Sequence, residues 1–239
     1  MIEKALQKKD RIEELFKVGA HFGFVKSRRH PSVKPFIFGS KNNIEIFNLE
    51  KTSKELEKAA IFLEEKGKEG ALGLIVGGKS EAREAVTKMG KELEMPYVAG
   101  RWIGGTLSNF SEIKKRIARL EEIVRQREKG ELTKYTKKER LLFDREIDKL
   151  ILYFGGLVNL KALPKFLVVV DPKKEHNAIA EARSMRIPTV ALSGSDTNLY
   201  EIDYAIPGND SSRQSINFIL SELVSAYKKG QKEKEILKE

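Results

Sequence analysis

Arg101-Trp102-Ile103-Gly104-Gly105-Thr106-Leu107-Ser108-Asn109-Phe110 is the stretch on which the reading of this chain turns. It holds the single tryptophan, a double glycine and a run of hydroxyl and amide side chains. It also marks a change of character. Before it, short apolar segments alternate with helix-periodic ones; after it come some fifty residues of charged, helix-periodic sequence. A double glycine permits positive φ or a close backbone approach, which suits a sharp turn between two substructures. Ser108 and Asn109 are placed to accept from the free N–H groups of a helix starting behind them. Gly104 and Gly105 are read as a hinge, with Trp102 packing to lock it.

Working outward, the chain of 239 residues with 40% apolar content can bury a sizeable core. It has no cysteine, which excludes disulfides and thiolate metal sites and suits a reducing compartment. No apolar run approaches the eighteen residues of a membrane span, and the charged N-terminus is unlike a secretory signal. A cytoplasmic protein is expected. The net charge of +10 is unevenly spread. Residues 1–41 hold ten basic against four acidic residues, 108–158 thirteen against nine, and 228–239 five against three. The remainder is almost neutral. Basic appendages on a neutral body point to a polyanionic partner.

In chain order, residues 2–18 read as a weakly amphipathic helix ended by Gly19. Gly19 to Lys34 then carries Lys26, Arg28, Arg29 and Lys34, with His30, among His21, Phe22 and Phe24. Cations among aromatic rings suit phosphate contact and base stacking, and a solvated loop fits the same composition. Residues 36–38 and 44–47 flank Gly39–Asn43 as a hairpin. Thr52 with Glu55, and Ser211 with Gln214, have capping-box spacing. Apolar strands are expected at 71–76, 96–99, 166–170, 189–192 and 204–206, with helices at 80–93, 174–186 and from Ser211. That rhythm predicts about five parallel strands in a doubly wound, flavodoxin-like α/β fold. Between the strands at 96–99 and 166–170, Ile113, Ile117, Leu120 and Val124 form one heptad seam. Phe143, Ile147, Leu150 and Phe154 form another. Gly130 and the polar residues behind it divide them, so an inserted antiparallel coiled-coil hairpin over 108–158 is expected, roughly 30 Å long at 1.5 Å rise per residue. Its tip carries Arg125, Arg127, Lys129, Lys134, Lys137 and Lys138. The α/β body would comprise 1–107 and 159–227, and the Lys/Glu-rich residues 228–239 read as a frayed or disordered tail.

Two patterns suggest enzymes. Gly73-Leu74-Ile75-Val76-Gly77-Gly78-Lys79-Ser80 fits the phosphate-loop pattern, and Phe166–Asp171 fits a strand ending in a magnesium-holding Asp. A phosphate loop needs its first glycine after the strand, however, and here three strand-forming apolar residues follow Gly73. Asp196, Asp203 and Asp210 lie near expected strand ends, where α/β enzymes place their chemistry. Turn and cap bonding explains such residues equally well, and the three histidines lack metal-ligand spacing. A cation near Asp196 and Asp203, reached by His21, is a minor alternative.

Arg101–Phe110 closely resembles the signature R-W-x-G-G-T-L-T-N-F of the universal small-ribosomal-subunit protein family S-two, with Ser108 where Thr is common. The resemblance runs from Gly19 to Ser215. Gly19–Phe24 is similar to G-x-H-F-G-H, with Phe24 at the second histidine, and Arg29-His30-Pro31 stands at a common Trp-Asn-Pro. Lys137-Lys138-Glu139 matches the K-K-E after the hairpin tip. Asp196-Thr197-Asn198 and Ile202–Asp210 match D-T-N and I-D-Y-x-I-P-G-N-D. This resemblance implies a structural protein of the small ribosomal subunit, without cofactor or catalysis. Its partners would be small-subunit rRNA, neighbouring ribosomal proteins and, in bacteria, protein S-one. The RNA contacts expected are Lys26, Arg28, Arg29, Lys34, Arg101, Thr106, Asn109, Lys114, Lys115, Arg125, Arg127, Lys134, Lys137 and Lys138.

Overall fold

The computed structural model describes residues 2–236, with side chains from 10 to 234. Five parallel strands form the central sheet: β4 (Gly73–Val76), β5 (Tyr97–Val98), β6 (Phe166–Val170), β7 (Thr189–Ser193) and β8 (Tyr204–Pro207). Their order is β5-β4-β6-β7-β8, the flavodoxin-like arrangement, with the switch point between β4 and β6. β4, β6 and β7 are buried along their whole length, as expected of parallel strands covered on both faces. On one face Ile75, Val168, Val170, Val190 and Leu192 pack under α2 (Leu49–Glu69), α3 (Arg83–Glu92) and α7 (Arg213–Ile236). On the other, Leu74, Val76, Leu167, Val169 and Ala191 meet α6 (His176–Ser184) and the Trp102 region.

That second apolar cluster continues into the inserted helices. Ile113, Ile117, Leu120 and Ile123 of α4 (Phe110–Glu128) and Ile147, Leu150 and Phe154 of α5 (Lys137–Phe154) belong to it. The α4 seam differs from expectation at its far end. Ile123 is fully buried and Val124 is half-buried, so the buried edge of α4 falls one residue earlier than the heptad spacing places it. Thr136 and Glu139 make a reciprocal capping box at the start of α5.

A second sheet of three antiparallel strands sits at the N-terminal side, in the order β1 (Phe22–Val25), β3 (Ile44–Phe47), β2 (Ile37–Lys41). The hairpin between β2 and β3 turns on Asn42 and Asn43, with φ of 50° and 63°. Positive φ at both positions is the type I′ geometry that suits twisted strands, and Asn tolerates it. β1 occupies part of the segment whose composition also fits a solvated loop; its four residues alternate too briefly to announce a strand.

Three local expectations are corrected. Helix α2 is capped by Asn48, whose Oδ1 accepts from Glu50 N (3.0 Å) and Lys51 N (3.3 Å). Thr52 lies inside that helix, its hydroxyl donating to Pro207 O. Ahead of α7, Asn209 Oδ1 takes the N–H groups of Ser211 and Ser212, and the hydroxyl that reaches a helix N–H is Ser212, toward Ser215. The tail is helical through Ile236. Lys228 pairs with Glu92, Lys229 with Glu64 and Lys68 with Glu233, and Gly230 lies against the α2 backbone so closely that a Cβ there would stand 2.0 Å from Glu64 O. Residues 237–239 lie outside the described range. α1 (Ile2–Lys17) packs through Leu15 and an Arg11–Glu222 ion pair.

Candidate nucleic-acid interface

The turn at Arg101–Phe110 is organised by a residue the sequence did not single out. Glu181, on α6, accepts from five donors with one carboxylate. Oε1 takes Trp102 Nε1–H (3.0 Å) and Gly105 N–H (2.9 Å). Oε2 takes Leu107 N–H (3.0 Å), Ser108 N–H (3.1 Å) and the Ser108 hydroxyl (3.2 Å). Burial pushes the Glu181 carboxyl up, but the bonds from Trp102, Leu107, Gly105 and Ser108 outweigh it and hold the group below the usual carboxylate range. Gly105 has φ 89°, which turns its N–H toward that carboxylate. The charge also sits just ahead of α4, where free N–H groups favour an anion. Asn109 precedes the helix without a side-chain cap bond, contrary to expectation; its carbonyl takes the N–H groups of Glu112 and Ile113, while Glu181 binds the turn just ahead of it.

Trp102 is buried, and Thr106 is buried too, its hydroxyl donating to Ile103 O at 2.6 Å. Thr106 thus braces the turn and presents no group outward. Arg101 and Asn109 are exposed. Gly104 is exposed with open space where a Cβ would go, so the positional demand falls on Gly105.

In the N-terminal basic segment, Lys26, Arg28 and Lys34 are exposed. Arg29 is not free. Its guanidinium holds Glu45 at 3.0 Å, and Glu45 is only 1% exposed beneath the small sheet. Losing the arginine would leave a buried carboxylate unpaired. Arg28 stacks over the Phe24 ring at 5.0 Å and lies 3.9 Å from Asp196, yet remains largely solvent-facing. The outer face of the small sheet is apolar: Phe22 stands opposite Ile46, which faces Gly39, and Val25 opposite Ile44, which faces Lys41. Phe38, at the bulge beside Gly39, is 79% exposed, and Phe22 48%.

In the hairpin, Lys114, Lys115, Arg125, Arg127, Lys129, Lys134, Lys137 and Lys138 are all exposed. Lys115 pairs with Glu112 and Arg127 reaches Asp144 at 4.0 Å, both in open solvent where such pairs are weak. Arg125, Lys129, Lys137 and Lys138 form no ion pair among the described residues. The six basic tip residues therefore surround the α4–α5 connection as a patch of positive charge.

The phosphate-loop pattern does not become a phosphate loop. Gly73–Val76 is strand β4, and a Cβ on Gly73 would meet the Phe166 ring at 2.3 Å. Lys79 is spent on Asp171 (3.2 Å), Asp210 (3.5 Å) and the Ser211 hydroxyl, and Ser80 on Glu81. Asp210 is buried; its loss of solvation, with Asp171 nearby, raises its pKa to about 6 despite Lys79. Asp196 holds Lys173 at 2.8 Å after the end of β7. Asp203 instead accepts from Thr189 N and Oγ1 at the start of that strand. A five-residue strand separates the two by roughly 13 Å, so no cation can bridge them. His21 stacks on Phe16 and lies against a tilted Phe22 ring, with its pKa lowered by burial. Among the described residues no group of three His, Cys, Asp or Glu side chains gathers to hold a metal, and no helix is long and apolar enough to cross a membrane.

Sequence reasoning missed Glu181 and Glu45, the two anions that fix Trp102 and Arg29. Both lie more than ten residues from their partners along the chain, within otherwise ordinary charged periodicity. Comparison with known proteins agrees with the arrangement. The profile described as ribosomal protein S2 matches residues 15–230. The protein named small ribosomal subunit protein uS2 of Chlorobaculum tepidum is 41% identical over 212 residues, which covers 89% of this chain and 85% of the relative. With a profile spanning the neutral α/β body, the Trp102 turn and the basic hairpin together, the chain belongs to the ribosomal protein S2 family.

Proposed function

We propose that this protein, a structural constituent of the small ribosomal subunit by its family, is held there by small-subunit rRNA through two sets of phosphate contacts. Lys26, Arg28 and Lys34 form the first set and the cations around the α4–α5 connection the second. The observation that carries this is the segregation of charge. The basic excess lies in residues 1–41, 108–158 and the tail, while the α/β body is nearly neutral. Folded rRNA presents phosphates and shape rather than readable base edges in its helices, so recognition rests on where those cations are held. The Glu181-bound turn sets the angle of hairpin to body and so the spacing between the two sets.

The apolar outer face of the small sheet, with Phe22 and Phe38 exposed, supports a protein neighbour, and S-one is the partner it would dock in an organism that has it. The cytoplasmic ribosome is the site of action. The test is sedimentation of tagged protein added to bacterial lysate. Co-migration with small subunits and intact ribosomes, indifferent to ATP and lost at high salt, is expected. Protein remaining at the top of the gradient, with ATP turnover removed by Lys79→Ala, would overturn the reading.

A further inference from the structure

The fold leaves a second basic feature that the two sets of phosphate-binding cations do not use. At the switch point, where β4 and β6 diverge in their connections, a cleft of about 290 Å³ opens at the carboxyl ends of the strands. Its lining includes Arg83, Arg101 and Lys174, and Trp102 forms part of the wall. Arg83 opens α3, Lys174 stands just ahead of α6, and Arg101 follows β5. The three cations thus converge from three separate elements, two of them helix beginnings whose dipoles favour negative charge. All three are exposed. The ion pairs at this edge are Lys79 with Asp171 and Asp210, and Lys173 and Arg28 with Asp196. Arg83, Arg101 and Lys174 take part in none among the described residues.

Two acids lie close by. Glu175 is buried in the lining, accepts from Gly78 N at 3.1 Å, and has its pKa raised by that burial. Glu81 is bound to Ser80. Lys174 acts on both carboxylates, and neither forms an ion pair with Arg83 or Arg101. The floor is closed by backbone: Gly78 and Gly100 run so near each other that a Cβ on Gly78 would stand 2.2 Å from Gly100 O. Beside this cleft, sharing Arg83, Gly100 and Arg101, a larger one of about 610 Å³ runs along Tyr97, Ile151, Leu152 and Tyr153. The pair therefore offers cations at one end and an apolar, aromatic wall at the other.

We propose that this double cleft binds one nucleotide unit, its phosphate held by Arg83, Arg101 and Lys174 and its base against the Tyr153–Leu152 wall. Open α/β sheets place ligands at this crevice, and unpaired arginines favour a planar phosphate contact. The nucleotide can come from an unpaired position in RNA or from a free mononucleotide. In the RNA case the inference rests on the rRNA-binding function proposed for this chain.

The sole tryptophan lines the cleft, so its fluorescence reports occupancy. The full chain is titrated at low salt with AMP and, separately, with a short single-stranded RNA, alongside Arg83→Gln/Lys174→Gln. Far-UV circular dichroism confirms that the doubly substituted chain is folded. A saturable Trp102 change with AMP that the double variant loses supports the site with a free nucleotide as ligand. A change with RNA alone supports it with RNA as the source, and the salt slope of RNA binding should then fall by about 1.4 in the double variant, at ~0.7 per phosphate. Absence of any Trp102 change with both ligands, or an identical change in the double variant, overturns the proposal. The rRNA-contact reading is scored independently, from loss of rRNA binding on neutralising Lys26, Arg28 and Lys34, so the two can fail separately.

Discussion

Replacing Glu181 by alanine should unfasten the turn that joins hairpin to body. The carboxylate takes five donors at 2.9–3.2 Å, and removing it leaves them without an acceptor. The two donors on Ser108 are at an exposed residue and can turn to water. Trp102 Nε1–H, Gly105 N–H and Leu107 N–H sit at buried or half-buried residues and cannot all do so. At about 1 kcal/mol for each donor left unsatisfied, the loss is about 3 kcal/mol. The charge itself adds little, since Glu181 is partly exposed and screened. For a chain of this size that corresponds to a fall in Tm of about 9 °C. Glu181→Gln, which keeps one acceptor oxygen and sets an amide NH2 against the remaining N–H groups, should lose roughly half as much. The assay is thermal unfolding followed by circular dichroism, with Trp102 fluorescence as a local probe. Because the folded pKa lies below the unfolded one, the contribution is whole above the ordinary carboxylate range and disappears as pH falls through the depressed value. The gap between parent and Glu181→Ala should accordingly narrow in acid by the part that depends on the charge, while the protonated carboxyl goes on accepting. A variant within about 1 kcal/mol of the parent at neutral pH, with unchanged Trp102 emission, would refute the reasoning.

Neutralising Lys26, Arg28 and Lys34 together should lower the salt slope of rRNA binding by about 2, at ~0.7 for each phosphate no longer neutralised. Adding Arg29→Gln should instead reduce stability, because Glu45 is left buried and unpaired; a further drop in slope with no loss of stability would contradict the buried pair. Asp210 has a folded pKa of about 6, above its unfolded value of 3.8. The folded state therefore binds the proton more tightly, and stability is lost as pH rises from about 4 through 6. Asp210→Asn should flatten that part of the profile, and an unchanged profile in denaturant titrations at pH 4.5 and 7 would rule Asp210 out as its source. A Cβ on Gly67 would lie 2.2 Å from Tyr227 O, so Gly67→Ala should push α2 from α7 and cost about 1–3 kcal/mol, measured by urea unfolding.

Much was determined by sequence alone. The alternation of buried apolar strands with 3.6-period helices is a local pattern, and it specified a parallel doubly wound sheet because only that arrangement covers both faces of such strands. The two heptad seams specified paired helices for the same reason, with Ile123 rather than Val124 as the fully buried residue at the end of the first. The Trp102 turn was identified as a joint from its glycines. What closes that joint depended on the tertiary structure, because Glu181 comes from another helix 79 residues beyond Trp102. The same holds for the basic segment. Composition presented Arg29 as equal to its neighbours, and only the antiparallel small sheet, which brings Glu45 beneath it, takes it out of the set available for phosphate. Asp196 and Asp203 look like partners in sequence, yet opposite ends of β7 keep them apart. Periodicity and backbone chemistry are local and can be read along the chain, whereas the pairing of charges depends on which strands and helices the fold sets side by side.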